Sequence, residues 1–294
     1  MKTEKPACGS CPDKGERCEE TCTQADAAEF RFASRNDVKS VIAVMSGKGG
    51  VGKSTVTALL ASTMAKRGYG VGVLDGDITG PSIPRLFGLK GGNLRTGPHG
   101  IIPRETDLGI KVMSLNLFTE REDEAVIWRG PLLAGAVKQF WEEVDWGELD
   151  YLFVDLPPGT GDVPLTVLQS LPLKGVVIVL SPQDLAVMIV RKAVNMTRQL
   201  HVPIVGLVEN MAYLECPRCG EVLYPFGKPQ GEQVSRETGI PLLATLPIKP
   251  DITRFGDEGM VEMLEAGEVS RMVERLQELN LHQELAENGQ PENS

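Results

Sequence analysis

The sequence predicts an α/β fold in which a largely parallel sheet carries helices on both faces. Three observations support this. Apolar runs of strand length at 41–45, 151–154 and 176–180 show no polar alternation, as strands buried on both faces require. Helix-length segments separate the runs, which implies right-handed crossovers between parallel strands. A glycine-rich turn joins the first run directly to the first helical segment.

Taken in order, the first strand covers 41–45, and a helix over about 54–67 is closed by Gly68. Strands at 69–74, 151–154, 176–180, 204–208 and 242–246 repeat the buried signature. Residues 91–127 are less regular and are expected to add an edge hairpin. Near the end, Val269, Met272, Val273, Leu276, Leu279 and Leu281 fall close to helical spacing, so 268–283 reads as an amphipathic closing helix. The chain thus divides into a cysteine-containing tail (1–37), one large domain (38–283) and a frayed end (284–294). The first tail lacks apolar periodicity and mixes Gly, Pro and charge, the pattern of a segment that stays disordered without a metal.

The 294 residues are 41% hydrophobic, enough for a substantial core, and the formal net charge is −10. Such a chain has no general attraction for nucleic acid or anionic lipid, so neither is expected as a partner, and any phosphate must be captured locally. Lys2, Glu4 and Lys5 lead into Cys, Pro and Gly rather than an apolar signal region. The most apolar stretch, 175–190, is interrupted by Pro182, Gln183 and Asp184, so no spanning helix is expected. A cytoplasmic location follows as the expectation.

The strongest local signal is Gly47-Lys48-Gly49-Gly50-Val51-Gly52-Lys53-Ser54, which satisfies G-x-x-x-x-G-K-[ST] between a strand and a helix. Its glycines let backbone N–H groups curl around phosphates, and the helix N-terminus adds a favourable dipole. Lys53 supplies positive charge, and the Ser54 hydroxyl, followed by Thr55, suits Mg²⁺. The strand at 151–154 ends in Asp155, the position of a carboxylate near the Mg²⁺ shell. Asp155 leads into Leu156-Pro157-Pro158-Gly159-Thr160-Gly161-Asp162, a loop stiffened by proline and hinged by glycine. Asp77, in Asp75-Gly76-Asp77, is placed to orient the attacking water or to reach Mg²⁺ through water; a turn or capping carboxylate is the structural alternative for it. No Asn-Lys-x-Asp guanine motif is present. Asn210, after the strand at 204–208, has the donor–acceptor pair that suits an adenine edge, which favours ATP.

All six cysteines fall in two clusters, Cys8, Cys11, Cys18 and Cys22 at one end and Cys216 and Cys219 far along the chain. Clustered thiols in an intracellular chain point to metal or redox chemistry. Cys216-Pro217-Arg218-Cys219 puts two thiolates on one turn, whereas Zn²⁺ or a cubane cluster takes four ligands. A second subunit, the N-terminal cysteines, or nothing, as in a dithiol pair, completes the set. The N-terminal four suit a second cluster, a zinc ion or no metal.

From residue 39 to about 255 the chain resembles the Mrp family, ApbC-like P-loop carriers and scaffolds of [4Fe–4S] clusters. The residues that carry the resemblance are SGKGGVGKST (46–55), DGDITGPSIPRLFG (75–88), DLPPGTGD (155–162), SPQDLA (181–186), VENM (208–211), CPRCG (216–220) and LPIKPDI (246–252). The resemblance implies a P-loop NTPase sheet of seven or eight mostly parallel strands. It also implies an ATPase that dimerises around ATP, with Lys48 reaching the partner's nucleotide much as an arginine finger does. Cys216 and Cys219 of each subunit then jointly hold a [4Fe–4S] cluster destined for apo iron–sulfur proteins. Two departures stand out. Lys228-Pro229-Gln230-Gly231 replaces the family's glycine run, and the N-terminal C-x2-C-x6-C-x3-C differs from the spacing of the eukaryotic scaffold branch.

A positioning ATPase of the MinD/ParA type, with a structural zinc at the C-x-x-C pair, is the competing reading. It calls for a basic membrane helix or DNA-binding patch, whereas the terminal helix carries Glu268, Glu274, Glu278 and Glu284 against Arg271 and Arg275. A nitrogenase-iron-protein-like reductase places single cysteines at separate positions, unlike the adjacent pair here.

Overall fold

The structure, a computed structural model, describes residues 36–77, 82–92, 94–118, 130–183, 186–265 and 267–288. Strand β1 (Asp37–Ser46) is longer than its apolar run because it pairs with β7 (Glu148–Asp155) from Asp37 onward. Asn36 pins the start of that pairing, its Oδ1 accepting the Trp146 N–H at 2.8 Å. Helix α1 (Lys53–Lys66) follows, and Gly68 ends it at φ 89°, the left-handed conformation of a helix C-terminus.

Next come β2 (Val71–Asp75), the short helix α2 (Ile83–Leu86), β3 (Thr96–Gly97), β4 (Gly100–Ile101), β5 (Arg104–Glu105) and β6 (Lys111–Ser114). The second half holds α3 (Gly130–Glu143), α4 (Asp162–Ser170), β8 (Leu173–Leu180), α5 (Ala186–Gln199) and β9 (Ile204–Glu209). It closes with β10 (Leu214–Glu215), β11 (Val222–Leu223), α6 (Gly231–Thr238), β12 (Leu242–Thr245), α7 (Pro250–Asp257) and α8 (Gly267–Asn288).

Eight strands form one sheet in the order β12-β9-β8-β1-β7-β2-β6-β5, and every pairing except β5–β6 is parallel. The edge hairpin expected within 91–127 is therefore partly different. Here β6 joins β2 in parallel and β5 turns back on β6, while β3 and β4 make a separate two-stranded ribbon.

Side chains alternate across the sheet into two apolar layers. Val41, Ala43 and Met45 of β1 face Ala136, Val137 and Phe140 of α3, Val167 of α4 and Val194 of α5. Ile42 and Val44 face the other way, into the layer of Val56, Leu60 and Met64 of α1 and Met272, Val273 and Leu276 of α8. Each large apolar side chain buried in these layers contributes about 1.5–3 kcal/mol. The helix α8 runs to Asn288 rather than fraying from Glu284, because Glu284, Leu285, Ala286 and Glu287 are all strong helix formers.

Candidate functional site

The parallel sheet brings the carboxyl ends of its central strands to one rim, where ligands of such folds bind. Register sets which residues meet there. Asp75 and Val44 both pair with Asp155, and Leu180 pairs with Glu209. The phosphate loop leaves β1 at Ser46 on this rim. Gly50 and Gly52 take φ values of 82° and 78°, so the loop curls as a side-chain-bearing residue would resist. Gly52 starts α1 with no side chain capping that end, which leaves the helix terminus to an anion.

Two cavities meet at Thr55, Asp77 and Ser82. One, of about 220 Å³, is lined by Ser46, Lys48 through Thr55 and Pro158, and so takes in Lys48, Gly49, Gly50, Val51, Gly52, Lys53 and Ser54. The other, of about 580 Å³, runs past Arg85, Leu86, Asn210, Met211, Ile248 and Lys249. Gly47 connects Ser46 to the first of these. The 156–162 loop supports it from behind, with the Gly159 N–H donating to Ser46 O at 2.8 Å. Lys48 is half-buried, and its carbonyl accepts the Ser46 hydroxyl at 2.9 Å.

Asp155 is fully buried and collects three donors. Lys53 Nζ lies 2.7 Å from Oδ2, the Ser54 hydroxyl donates to the same oxygen at 2.5 Å, and the Thr57 hydroxyl donates to Oδ1 at 2.9 Å. Lys53 Nζ is also 3.7 Å from Asp77 Oδ2. The adjoining Ser54 hydroxyl and Asp155 carboxylate supply the hard oxygens that Mg²⁺ takes alongside phosphates and water, so these residues fit the metal. Asp75 is buried beside them. Burial, and then the Asp155 charge, hold its carboxyl well above the usual carboxylate range, with Lys53 and hydrogen bonds from the Asp77 N–H and Ser114 opposing. Asp75 Oδ1 accepts the Asp77 N–H at 3.0 Å and so fixes the turn that aims Asp77 at the cavities.

Asn210 occupies a more structural place than an adenine contact alone. It lines the larger cavity, but its Nδ2 donates to Val51 O at 2.9 Å, holding the phosphate loop. Asp162 sits exposed in the first turn of α4, where a carboxylate suits the helix dipole.

Cys216 and Cys219 lie on the antiparallel hairpin of β10 and β11. The Cys216 N–H donates to Glu221 O, and the Gly220 N–H returns to Cys216 O, both at 2.9 Å, with Gly220 at φ 73°. Backbone N–H groups of Arg218 and then Cys219 point at the Cys216 sulfur and hold its thiol below the ordinary value, aided by the Cys219 side chain. Cys219 is exposed, and neither cysteine is in a disulfide. Among the described residues no group of three or more His, Cys, Asp or Glu side chains could hold a metal ion, so the hairpin offers two ligands. Cys8, Cys11, Cys18 and Cys22 lie outside the described residues.

A family model for the NUBPL iron-transfer P-loop NTPases, of the ParA group, matches residues 37–282. The chain belongs to this family. It is 46% identical to the iron-sulfur cluster carrier protein of Clostridium perfringens, covering 87% of this chain and 93% of that one. The carrier protein of Methanocaldococcus jannaschii is 42% identical over 87% of this chain and 89% of its own. A nucleotide-binding protein from Archaeoglobus fulgidus, solved in complex with ADP and with cobalt found in it, superposes with a TM-score of 0.72 at 47% identity, over 79% of this chain and 91% of that one. MinD of Pyrococcus furiosus shares the fold, with a TM-score of 0.61 at 21% identity over 82% and 99% of the two chains. The resemblance read from the motifs is borne out.

In this iron-transfer NTPase, sequence reasoning missed three residues of the rim. Thr57 lies one turn beyond Lys53, and its hydroxyl also reaches Lys53 O at 3.1 Å. Asp75 was passed over beside Asp77. Glu209, fully buried, accepts the Gln230 N–H at 2.7 Å and the Gly231 N–H at 2.9 Å. The Lys228-Pro229-Gln230-Gly231 segment that departs from the family pattern therefore ends in a closely fitted helix start, where a Cβ on Gly231 would meet Glu209 Oε2 at 2.8 Å.

Proposed function

We propose that the chain is an ATP-driven carrier of a [4Fe–4S] cluster, which is its cargo, and that it acts as a homodimer. The observation that carries this reading is the exposed hairpin holding two free thiols, one supported by backbone N–H groups, in a chain with a complete phosphate cradle. Two ligands per chain become four across a two-fold axis, the number a cubane cluster takes. Backbone N–H donors to thiolate sulfur favour the anionic ligand and tune a bound cluster. Val222, Leu223, Tyr224 and Phe226, all exposed beside the cysteines, supply apolar surface around such a shared site.

For hydrolysis, the triphosphate lies in the smaller cavity and the nucleoside in the larger. Lys53 leaves Asp155 to meet the phosphates, and the loop N–H groups stabilise charge that develops in the transition state. Ser54 and Asp155 would hold Mg²⁺, which neutralises phosphate charge when bound. Asp77, set by Asp75, orients the attacking water, and Lys48 acts on the nucleotide of the partner subunit. The cluster then passes to apo iron–sulfur proteins in the cytoplasm. Among the described residues no helix is long and apolar enough to cross a membrane. Cys8, Cys11, Cys18 and Cys22 of the tail 1–37 suit a second cluster, a zinc ion or no metal.

Anaerobic reconstitution of the wild type against a Cys216→Ser, Cys219→Ser variant tests the reading. The variant is expected to lose the iron, sulfide and visible thiolate-to-iron absorbance of the hairpin site. Equal loading of both proteins would overturn it.

A further inference from the structure

We propose that Glu209 and Asn210 form a two-residue bridge through which occupancy of the phosphate loop sets the position of the cysteine hairpin. This rests on the carrier reading above and names the groups that carry its nucleotide control.

The first half of the bridge is the contact between Asn210 and the loop. Asn210 Nδ2 donates to Val51 O at 2.9 Å, and a Cβ on Gly52 would stand only 2.3 Å from that same nitrogen. The fit has no slack, so phosphate binding that shifts Val51 and Gly52 must displace the carboxamide. Asn210 is itself 7% exposed and is tied to β8 by its N–H, which donates to Leu180 O at 2.8 Å.

The second half is the neighbouring side chain. Glu209 is fully buried, and its two carboxylate oxygens take the N–H groups of Gln230 and Gly231, at 2.7 and 2.9 Å. These two residues begin α6, where the chain returns after the excursion 211–229 that carries Cys216 and Cys219. Glu209 thus stands on the strand that enters the excursion and grips the residues that leave it. Charge-assisted bonds to a buried carboxylate are strong, and breaking them strands a desolvated charge. The neck of the excursion therefore moves with the end of β9 rather than parting from it. Met211, at φ 57°, begins the excursion in a left-handed turn that a side chain resists, a further sign that its direction is held by its surroundings. A ligand biases such an element by its differential affinity for the two positions of the loop.

Alkylation rates of Cys216 and Cys219 in the metal-free full chain, followed peptide by peptide with and without Mg-ATP, test the bridge. In the wild type ATP should change the rates about fivefold or more, the lower end of a typical coupling. Glu209→Gln puts an amide in place of one accepting oxygen, and Gly231→Ala drives a methyl into the same contact from the other side. In each, the ATP-dependent change should shrink below about twofold while ATP affinity stays within about threefold of wild type. A cooperatively melting variant that keeps the full ATP-dependent change would overturn the bridge. So would a wild type whose rates ignore ATP, or loss of ATP binding in both variants, which would make Glu209 a prop of the nucleotide pocket. The carrier reading itself is judged separately, on the iron and sulfide content of the reconstituted protein.

Discussion

Lys53 Nζ stands 2.7 Å from Asp155 Oδ2, with both side chains buried at the carboxyl rim of the sheet. Without nucleotide this pair neutralises two charges that water cannot reach, and with nucleotide the lysine exchanges a carboxylate for phosphate.

Removing one member should therefore be costly beyond the loss of catalysis. Asp155→Ala leaves the Lys53 ammonium unpaired and is expected to lower the stability of the nucleotide-free protein by about 3–5 kcal/mol. Replacing both, as Lys53→Met with Asp155→Leu, should recover most of that stability while ATPase activity stays lost. Chemical denaturation and phosphate release measure the two effects.

A second expectation concerns Gly52. Alanine there must hold φ near 78° and bring its Cβ to 2.3 Å from Asn210 Nδ2. ATP affinity measured by calorimetry should fall tenfold or more, about 1.4 kcal/mol. Gly68→Ala, at φ 89° but with nothing within 4 Å of its Cβ, should cost stability without that loss of affinity.

Asp150 provides a test against pH. Lys39 Nζ donates to it at 2.8 Å and holds its carboxyl below the usual range, helped by the Gly70 N–H against partial burial. A depressed folded-state pKa adds stability above the unfolded pKa, and that stability is lost as pH falls through the folded value. Asp150→Asn should destabilise the protein at pH 7 by about 0.5–1 kcal/mol, since Lys39 is well exposed. The difference between variant and wild type should disappear in acid, as read from denaturation midpoints across pH.

The thiols offer a further pH test. Because N–H groups hold the Cys216 thiol below the ordinary value, its alkylation in metal-free protein should rise at lower pH than that of a free cysteine. Cys219→Ser removes the thiol at 219 but keeps the backbone N–H groups, so the Cys216 profile should shift upward only in part. A profile that matches free cysteine would contradict the geometry of the turn.

These residues also show what the chain disclosed before its structure was known. The phosphate loop was legible because its strand, glycines, Lys53, Ser54 and helix are contiguous, and each local preference agrees with the next. Asp155 was legible because an apolar strand ends on it. Asp75 was not, because its raised pKa comes first from burial and then from a cross-strand register with Asp155, neither of which the sequence states. Glu209 and Asn210 were visible as polar residues after an apolar run. Their partners lie 21 and 159 positions away, a separation that only the fold bridges. The β5–β6 edge was half legible: the segment was recognised, but its parallel pairing with β2 was not.

The shared cluster is the centre of the account, and its stoichiometry tests that most directly. Native mass spectrometry of protein reconstituted anaerobically, with Cys8, Cys11, Cys18 and Cys22 all changed to Ser, counts clusters and chains together. One [4Fe–4S] cluster per dimer, with the dimer lost when the cluster is removed in the absence of ATP, is the expected result. A cluster held by a single chain, or a metal-free dimer beside unloaded hairpins, would contradict it.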